Sequence, residues 1–363
     1  KEIMDLRNNT IQKPTVSHAT FYWNSEHFSF QRPNFFSSVR MYSSRNMNME
    51  SPYNSEGILN HHRGDGANHI ITKGDEYYDI SPVYDYMKIP GATIVQKEKL
   101  PNHNTIKKIG TMDFVGAVTD GKYGVVGFDF KSPHDPLVAR KSWFFFEEEY
   151  VCLGAGISTK MKNEVNTTLN QSLLRGEVVV SAEGKIKTLK SGEQTLSDID
   201  WIHHDNIAYL FPKHHTIFIK NDIAKGSWWR ISKQISSSKD TVELAVFKTW
   251  INHGESPSDA SCEYIVKPGA LNEIDKQKTF TNIQILSNTP YLQAVKNTNL
   301  GIIQMVFYKA GEIKISEALK FKCHAPGIVM LKMNKNTIKE VSVSDPNREK
   351  RKISKPYGMK KTV

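Results

Sequence analysis

The stretch Gly311-Glu312-Ile313-Lys314-Ile315 places apolar side chains at alternate positions, and Leu319-Lys320-Phe321-Lys322-Cys323 continues the pattern. This period of two is typical of a half-buried β-strand. Further β-rich runs lie at 123–130, 177–181, 216–220, 242–252, 302–308 and 328–333. Turn signals separate these runs, and we find no long amphipathic helix with credible caps. Many short strands favour β-sandwiches over βαβ units, so we expect an all-β fold.

Composition excludes several classes of protein. A chain of 363 residues is long enough for two or three domains with a sizeable core. Charged residues make up 24% and aromatic residues 10%, which are ordinary fractions for a folded protein and exclude global disorder. No run of eighteen apolar residues occurs, so we expect no membrane span.

The charge balance points to a polyanionic partner. The chain has 48 Lys and Arg against 38 Asp and Glu, a formal net charge of +10. Nucleic acid, an anionic membrane and an acidic polysaccharide would all suit this excess, and composition does not choose among them. A nucleic-acid function would rest only on this charge and on the basic C-terminal residues, so we expect no nucleic-acid partner.

The polar stretch 272–281 is the best internal boundary. It divides the chain into a large central β domain at 18–271 and a small β domain at 282–345. We interpret 1–17 as an N-terminal linker. It begins with Lys1 rather than Met and lacks the apolar region of a signal peptide, so we expect the chain to be a piece of a longer protein. We interpret 346–363 as a solvated basic tail, because 347–363 carries seven Lys and Arg and one acidic residue.

Metal and disulfide signals are weak. The three cysteines are too scattered for a disulfide framework or a zinc site, and Cys152, in an apolar run, predicts a buried free thiol. Three His-His pairs occur, but adjacent residues on a strand point to opposite faces, so we expect no metal site from a pair. These pairs are His61-His62, His203-His204 and His214-His215.

Two short motifs have simple structural interpretations. Arg63-Gly64-Asp65 matches the adhesion tripeptide, but three residues recur by chance, and Gly64-Asp65-Gly66 predicts a tight turn. The glycosylation sequon that begins at Asn166 means little without a known compartment. No Walker loop, Rossmann fingerprint, nucleophile elbow or zinc-finger spacing is present.

The window 32–93 is unusually rich in irregularly spaced polar residues. It is consistent with a solvated loop, but it also contains Arg40 and Arg45 close to Glu50 and Asn54. Guanidinium groups bind carboxylate and sulfate through paired N–H donors. A carboxylate such as Glu50 among arginines would stay ionised and could orient them.

Short motifs also occur in one order along most of the chain: Ser38-Val39-Arg40, Ser44-Arg45, Glu50-Ser51, Asp65-Gly66-Ala67, Gly74 to Val83, Lys88 to Gly91, Asp113 to Gly116, Trp143 to Phe146, Val151 to Ile157, Thr167 to Ser172, Trp250 to Gly254 and Leu292 to Val295. This series resembles polysaccharide lyase family 8, the family of chondroitin AC, hyaluronate and xanthan lyases. The resemblance implies a large antiparallel β-supersandwich followed by a small C-terminal β-sandwich. It also implies an N-terminal α-helical toroid domain as a partner in the same protein, outside this chain.

The resemblance implies β-elimination at a uronic acid of an anionic polysaccharide substrate, which leaves an unsaturated uronide. The Tyr, His and principal Arg of the family's active site belong to the helical domain, so we expect this chain alone to be nearly inactive. By motif position, the resemblance implies that Glu50 is the Glu of the catalytic tetrad, which orients the Arg and His. Asn54, one residue further along than the motif predicts, would contact the sugar, and Arg40 and Arg45 are further candidates for substrate binding.

Two departures from the family pattern affect these expectations. The resemblance implies a calcium site near Asp85, but Met87 and Gln96 stand where carboxylates are expected, so no cofactor is required and calcium is doubtful. Residues 102–112 contain no aromatic residue where the family has a stacking Trp. The alternative function is a non-catalytic glycosaminoglycan-binding module. The family resemblance alone suggests an extracellular or periplasmic location.

Overall fold

A computed structural model describes residue 4 and residues 16–50, 54–182, 184–272, 282–317 and 319–349. Most of the predicted linker at 1–17, most of the boundary at 272–281 and most of the tail at 346–363 lie outside the described residues. The domain bounds therefore remain predictions. Within the described residues, no helix combines the length and the apolar character needed to cross a membrane.

Strands dominate the structure. In chain order they are β1 (His18–Tyr22), β2 (His27–Arg32), β3 (Phe35–Arg40), β4 (Ala67–Ile71), β5 (Thr93–Val95), β6 (Val115–Thr119), β7 (Gly124–Lys131), β8 (Val138–Phe145), β9 (Tyr150–Ser158), β10 (Glu164–Leu173), β11 (Val179–Ala182), β12 (Lys185–Thr188), β13 (Gly192–Leu196), β14 (Ile199–His204), β15 (Ile207–Leu210), β16 (Ile217–Gly226), β17 (Val242–Glu255), β18 (Ala260–Pro268), β19 (Ile283–Asn288), β20 (Leu292–Asn297), β21 (Ile302–Phe307), β22 (Gly311–Ser316), β23 (Leu319–Cys323), β24 (Gly327–Asn334) and β25 (Thr337–Ser344). Between strands of the described chain lie a 3₁₀ turn at Ser81–Val83 and an α-helical turn at Trp228–Ile231.

The strands form a supersandwich and a smaller sandwich. Sheets of four, five and nine strands have the orders β1-β2-β3-β4, β13-β16-β17-β10-β5 and β12-β11-β14-β15-β18-β9-β8-β7-β6. After residue 282, a five-stranded sheet has the order β19-β20-β21-β24-β25 and is accompanied by the β22–β23 hairpin. All described strand pairs are antiparallel. The predicted all-β supersandwich and C-terminal β-sandwich are confirmed.

The nine-stranded sheet is buried on both faces around β8, whereas its edge strand β12 is exposed. In β8, Trp143 and Phe145 enter one core, which also takes side chains from the four-stranded and five-stranded sheets of the supersandwich. Phe144 and Phe146 enter a second core, shared with Val306 and other side chains of the C-terminal sandwich. Successive side chains of a strand point to opposite faces, so a strand covered on both sides is apolar at consecutive positions. This arrangement explains the uninterrupted run from Trp143 to Phe146.

Polar contacts also join the two sandwiches. Ser142 Oγ donates to Gln293 Oε1 at 2.6 Å, and Tyr308 Oη donates to the Lys141 carbonyl at 2.7 Å. Asn297 Nδ2 lies 3.1 Å from Glu149 Oε1. These groups are buried, where an unpaired polar atom is costly. The contacts therefore fix how the C-terminal sandwich sits on the nine-stranded sheet.

Several local predictions are confirmed. Each β-rich run noted in the sequence overlaps a strand, and the alternating stretch that ends at Cys323 forms the β22–β23 hairpin. Cys152 is a buried free thiol. Asp65 is buried in a tight turn, in which the Gly66 amide donates to the Gly64 carbonyl at 2.8 Å. Because the Asp65 side chain is buried, the Arg63-Gly64-Asp65 tripeptide is not an exposed adhesion motif. Asn166 is buried in β10, so its sequon is inaccessible in the folded chain.

Candidate active-site loop

Three of the four residues predicted from the 32–93 window lie on the loop between β3 and β4, residues 41–66, and the fourth, Arg40, is the last residue of β3. The first half of this loop is hydrogen-bonded to residues 108–112. The Ser44 amide donates to the Met112 carbonyl at 2.8 Å, and the Asn48 amide donates to the Lys108 carbonyl at 2.9 Å. A Cβ on Gly110 would lie 2.7 Å from the Ser43 carbonyl, so this close approach requires glycine. The backbone that leads to Glu50 is therefore fixed.

Buried histidines hold the second half of the loop. Asn48 Nδ2 and His134 Nε2 both donate to the His61 carbonyl, at 2.6 and 2.9 Å, and His62 Nδ1 lies 2.8 Å from Asp65 Oδ2. Burial lowers the pKa of His61 to about 4, so its ring is neutral at pH 7. Among the described residues, no group of three His, Cys, Asp or Glu could hold a metal ion. The His61-His62 pair therefore supports the loop.

A buried carboxylate anchors Arg45. Glu26, 1% exposed, lies in the β1–β2 turn with a left-handed φ of 51°. Its Oε1 accepts from Arg45 Nη2 at 2.9 Å and from Nε at 3.1 Å, and Arg348 Nη2 is 3.6 Å away. Arg45 therefore compensates a buried charge as well as lying beside the predicted site.

Arg40 also has backbone partners, since its guanidinium donates to the Ser25 and Met41 carbonyls. Burial lowers its pKa, and Glu26 opposes that shift, while the nearby Arg63 charge adds to it. The exposed Arg63 thus lies close enough to Arg40 to repel it. Arg40 and Arg63 therefore place two guanidinium groups at this end of the loop, beside Arg45, whose charge Glu26 balances.

Glu50 and Asn54 are both exposed, and residues 51–53 between them lie outside the described residues. Among the described residues, no group pairs with the Glu50 carboxylate. Asn54 Nδ2 donates to Glu56 Oε2 at 3.0 Å, and Gln234 donates to the Asn54 carbonyl. The structure thus places Arg45, Glu50 and Asn54 on one loop, and Arg40 at the end of β3, directly before that loop. Their roles remain predictions.

Comparison with known proteins decides the family. The model of the polysaccharide lyase family 8 super-sandwich domain matches residues 17–279. The chain belongs to polysaccharide lyase family 8. The family 8 C-terminal β-sandwich domain matches residues 284–354.

Curated family 8 relatives are longer than this chain. The chain is 38% identical to the chondroitinase-AC of Pedobacter heparinus over 320 residues, which cover 86% of the chain and 44% of that relative. It is 29% identical to the xanthan lyase of Bacillus sp. strain GL1, over 77% of the chain and 31% of that relative. The chain therefore spans less than half the length of these relatives.

A solved family 8 structure has the same fold. The structure of a chondroitinase AC lyase, from a study of its oligosaccharide complexes, superposes with a TM-score of 0.87 at 34% identity. The match covers 96% of this chain and 51% of that one. The likeness therefore extends over both sandwiches.

The surroundings of Asp85 do not fit the calcium ion that the family resemblance implies. Lys248 Nζ lies 3.3 Å from Asp85 Oδ2, and Gln96 Oε1 accepts from Lys88 Nζ. Lys88 Nζ also lies 4.9 Å from the centre of the Trp250 ring. Calcium takes six to eight oxygen ligands, whereas here two ammonium groups approach the available oxygens.

We expect excess calcium or EDTA to leave the melting temperature of this chain unchanged. A resident ion present at 100 times its dissociation constant would add about 2.7 kcal/mol of stability. Thermal unfolding followed by circular dichroism, with magnesium as the control for ionic strength, measures the effect. A melting temperature that rises with the logarithm of calcium concentration, but not with magnesium, would contradict the expectation.

Sequence reasoning missed two groups at the site. The first is Glu26, whose role depends on burial and a partner nineteen residues away. The second is the loop between β16 and β17, which binds the Asn54–Ile58 segment through backbone hydrogen bonds. The adjacent tryptophans Trp228 and Trp229, in a run rich in Ser and Lys, are the signal that could have identified that loop.

Proposed function

We propose that this chain is the β-domain portion of a lyase that cleaves uronate-containing glycosaminoglycans by β-elimination. The observation that carries the proposal is the 38% identity to a chondroitinase-AC over 86% of the chain. The fixed, arginine-rich loop that presents Glu50 supports it. The substrate is a chondroitin-like or hyaluronan-like polymer, and the enzyme acts outside the cytoplasm.

The reaction removes the C5 proton of the uronate, breaks the C4–O bond and returns a proton to the leaving oxygen. The C5–H bond is weakly acidic, so charge that develops on the carboxylate must be stabilised in the transition state. A Tyr and a His on an N-terminal helical domain move the protons. Glu50 orients the Arg and His of that domain, and Asn54 donates a hydrogen bond to the sugar.

The first test compares this chain with a longer version that includes the helical domain. Each is mixed with chondroitin and with hyaluronan, and the unsaturated uronide is followed by its ultraviolet absorbance. We expect product from the longer version only. If neither version yields product while polysaccharide binding persists, the chain is a glycosaminoglycan-binding module and the lyase proposal is wrong.

In the longer protein, Glu50→Gln is expected to lower kcat at least tenfold with little change in KM. The amide cannot hold the partner Arg and His through a negative charge, so the loss falls on the transition state, by roughly 1.4 kcal/mol or more. Steady-state kinetics and a pH profile measure the effect. Glu312→Gln, which removes an exposed carboxylate from the C-terminal sandwich, is the matched control. If Glu50→Gln and Glu312→Gln have equal kcat values, the proposed role of Glu50 in orienting the Arg and His is wrong.

A further inference from the structure

Residues 227–241 connect β16 to β17 and form what we term the tryptophan loop. It contains Trp228, Trp229, Arg230, Lys233 and Lys239, and one acidic residue. That acid, Asp240, accepts one hydrogen bond from the Ser238 hydroxyl, at 2.8 Å. The loop is therefore a basic and aromatic surface element.

The base of the tryptophan loop is held firmly. A Cβ on Gly226 would lie 1.9 Å from the Pro82 carbonyl oxygen, so the chain enters the loop in direct contact with the 3₁₀ turn. Arg230 Nη1 donates to the Tyr84 carbonyl at 2.9 Å, and the Trp229 amide donates to the Ser238 carbonyl at 2.8 Å. Both limbs of the loop are thereby fixed, which preorganises its side chains.

The loop is also joined to the segment that begins at Asn54. The Lys233 amide donates to the Ser55 carbonyl at 2.9 Å, and the Ile58 amide donates to the Ile231 carbonyl at 3.2 Å. Glu56 and Ser232 form an isolated β-bridge between these contacts. The tryptophan loop therefore extends the surface that bears Asn54.

Two lysines of the loop carry charges that no carboxylate neutralises in the described structure. Lys233 Nζ lies 4.8 Å from the centre of the Trp229 ring, and Lys239 Nζ lies 4.6 Å from it. Lys233 Nζ also donates to the Trp229 carbonyl at 2.5 Å. Contact with an indole ring attracts an ammonium group without occupying its N–H donors in ion pairs, so both lysines retain donors for an anion. Trp228, whose side chain is exposed, adds an apolar surface of the kind that packs against the C–H face of a sugar ring.

We propose that the tryptophan loop is a polysaccharide subsite that continues from Asn54. Lys233 and Lys239 bind carboxylate or sulfate groups of the polymer, and Trp228 packs against one of its sugar rings. This inference rests on the proposed function and names the subsite beside Asn54. It assigns the loop a part in binding and no part in proton transfer.

The test measures the affinity of this chain for chondroitin sulfate, for unsulfated hyaluronan and for uncharged dextran by isothermal titration calorimetry. The variant is Lys233→Gln with Lys239→Gln. Loss of charge-assisted hydrogen bonds is expected to weaken binding to the anionic polymers about tenfold or more. The matched control is Lys185→Gln with Lys187→Gln, which removes the same charge from exposed positions of β12. Trp228→Ala, with its fold checked by circular dichroism, tests the apolar contact and is expected to weaken binding about fivefold.

The outcomes separate the two proposals. If the unaltered chain binds neither anionic polymer, the subsite is wrong, and the proposed function is wrong as well only if the longer version also yields no unsaturated uronide. If it binds and the loop variant loses no more affinity than the β12 control, the subsite alone is wrong. A loss confined to chondroitin sulfate supports the subsite with sulfate as its ligand, and an equal loss for hyaluronan supports it with the uronate carboxylate.

Discussion

Replacement of Arg45 by alanine is expected to lower the free energy of unfolding by about 3 kcal/mol. The substitution leaves the Glu26 carboxylate buried without its nearest cation, since Arg348 is 3.6 Å away. A change of this size corresponds to a fall in melting temperature of roughly 4–6 °C for a chain of this length. Urea denaturation at pH 7 and a thermal melt both measure it.

Two further variants make this result decisive. Arg63→Ala removes an exposed guanidinium from the same loop and is expected to change stability by less than about 0.5 kcal/mol. Combining Arg45→Ala with Glu26→Gln replaces the buried charge by a neutral amide and should restore part of the loss. If Arg45→Ala is no more damaging than Arg63→Ala, the ion pair with Glu26 does not stabilise the fold.

Acidification from pH 7 to pH 5 is expected to destabilise the chain through its buried histidines. His61 and His204 are each 1% exposed, and burial lowers the pKa of each to about 4. An unfolded histidine has a pKa near 6.5, so between pH 6.5 and 4 the unfolded chain binds protons that the folded chain does not. Stability is therefore retained above pH 6.5 and lost below it, by about 2 kcal/mol per histidine at pH 5.

Glu149 works in the opposite direction and must be separated from the histidines. Burial raises its pKa to about 7, so its contribution to stability is present at low pH and is lost as the pH rises through 7. Urea denaturation at both pH values should show a shallower pH dependence for His204→Gln and a steeper one for Glu149→Gln. Identical pH dependence in His204→Gln and the unaltered chain would show that this histidine is not buried in its neutral form.

The sequence was sufficient to predict strands with a clear period. The β22–β23 hairpin alternates visibly, and Val242–Glu255 extends the predicted run by only three residues. Strands β3 and β4 were hidden within a window that resembles a polar loop. In β3, Ser37 is fully buried and donates to the His69 carbonyl at 2.9 Å. A partner on another strand thus makes burial of a polar residue possible, and no local pattern reveals that partner.

The candidate site was predictable to the same limited degree. Glu50 and Asn54 were located by motif resemblance, and the structure places both on an exposed part of one loop. The support beneath them was not predictable, because Glu26 and His134 reach the loop from distant parts of the chain. The tryptophan loop was missed for the same reason, since its hydrogen bonds to Ser55 and Ile58 cross about 175 residues of sequence.

The buried polar contacts between the two sandwiches, which we term the polar seam, have an evolutionary consequence. An apolar seam would tolerate many partners of similar shape, whereas Ser142, Gln293 and Tyr308 must meet with matched donors and acceptors. A C-terminal sandwich transplanted from another protein would leave some of these groups without partners unless the facing positions of β8 came with it. We therefore expect related proteins to carry the two sandwiches together, and substitutions at the contacting positions of the two sandwiches to be correlated.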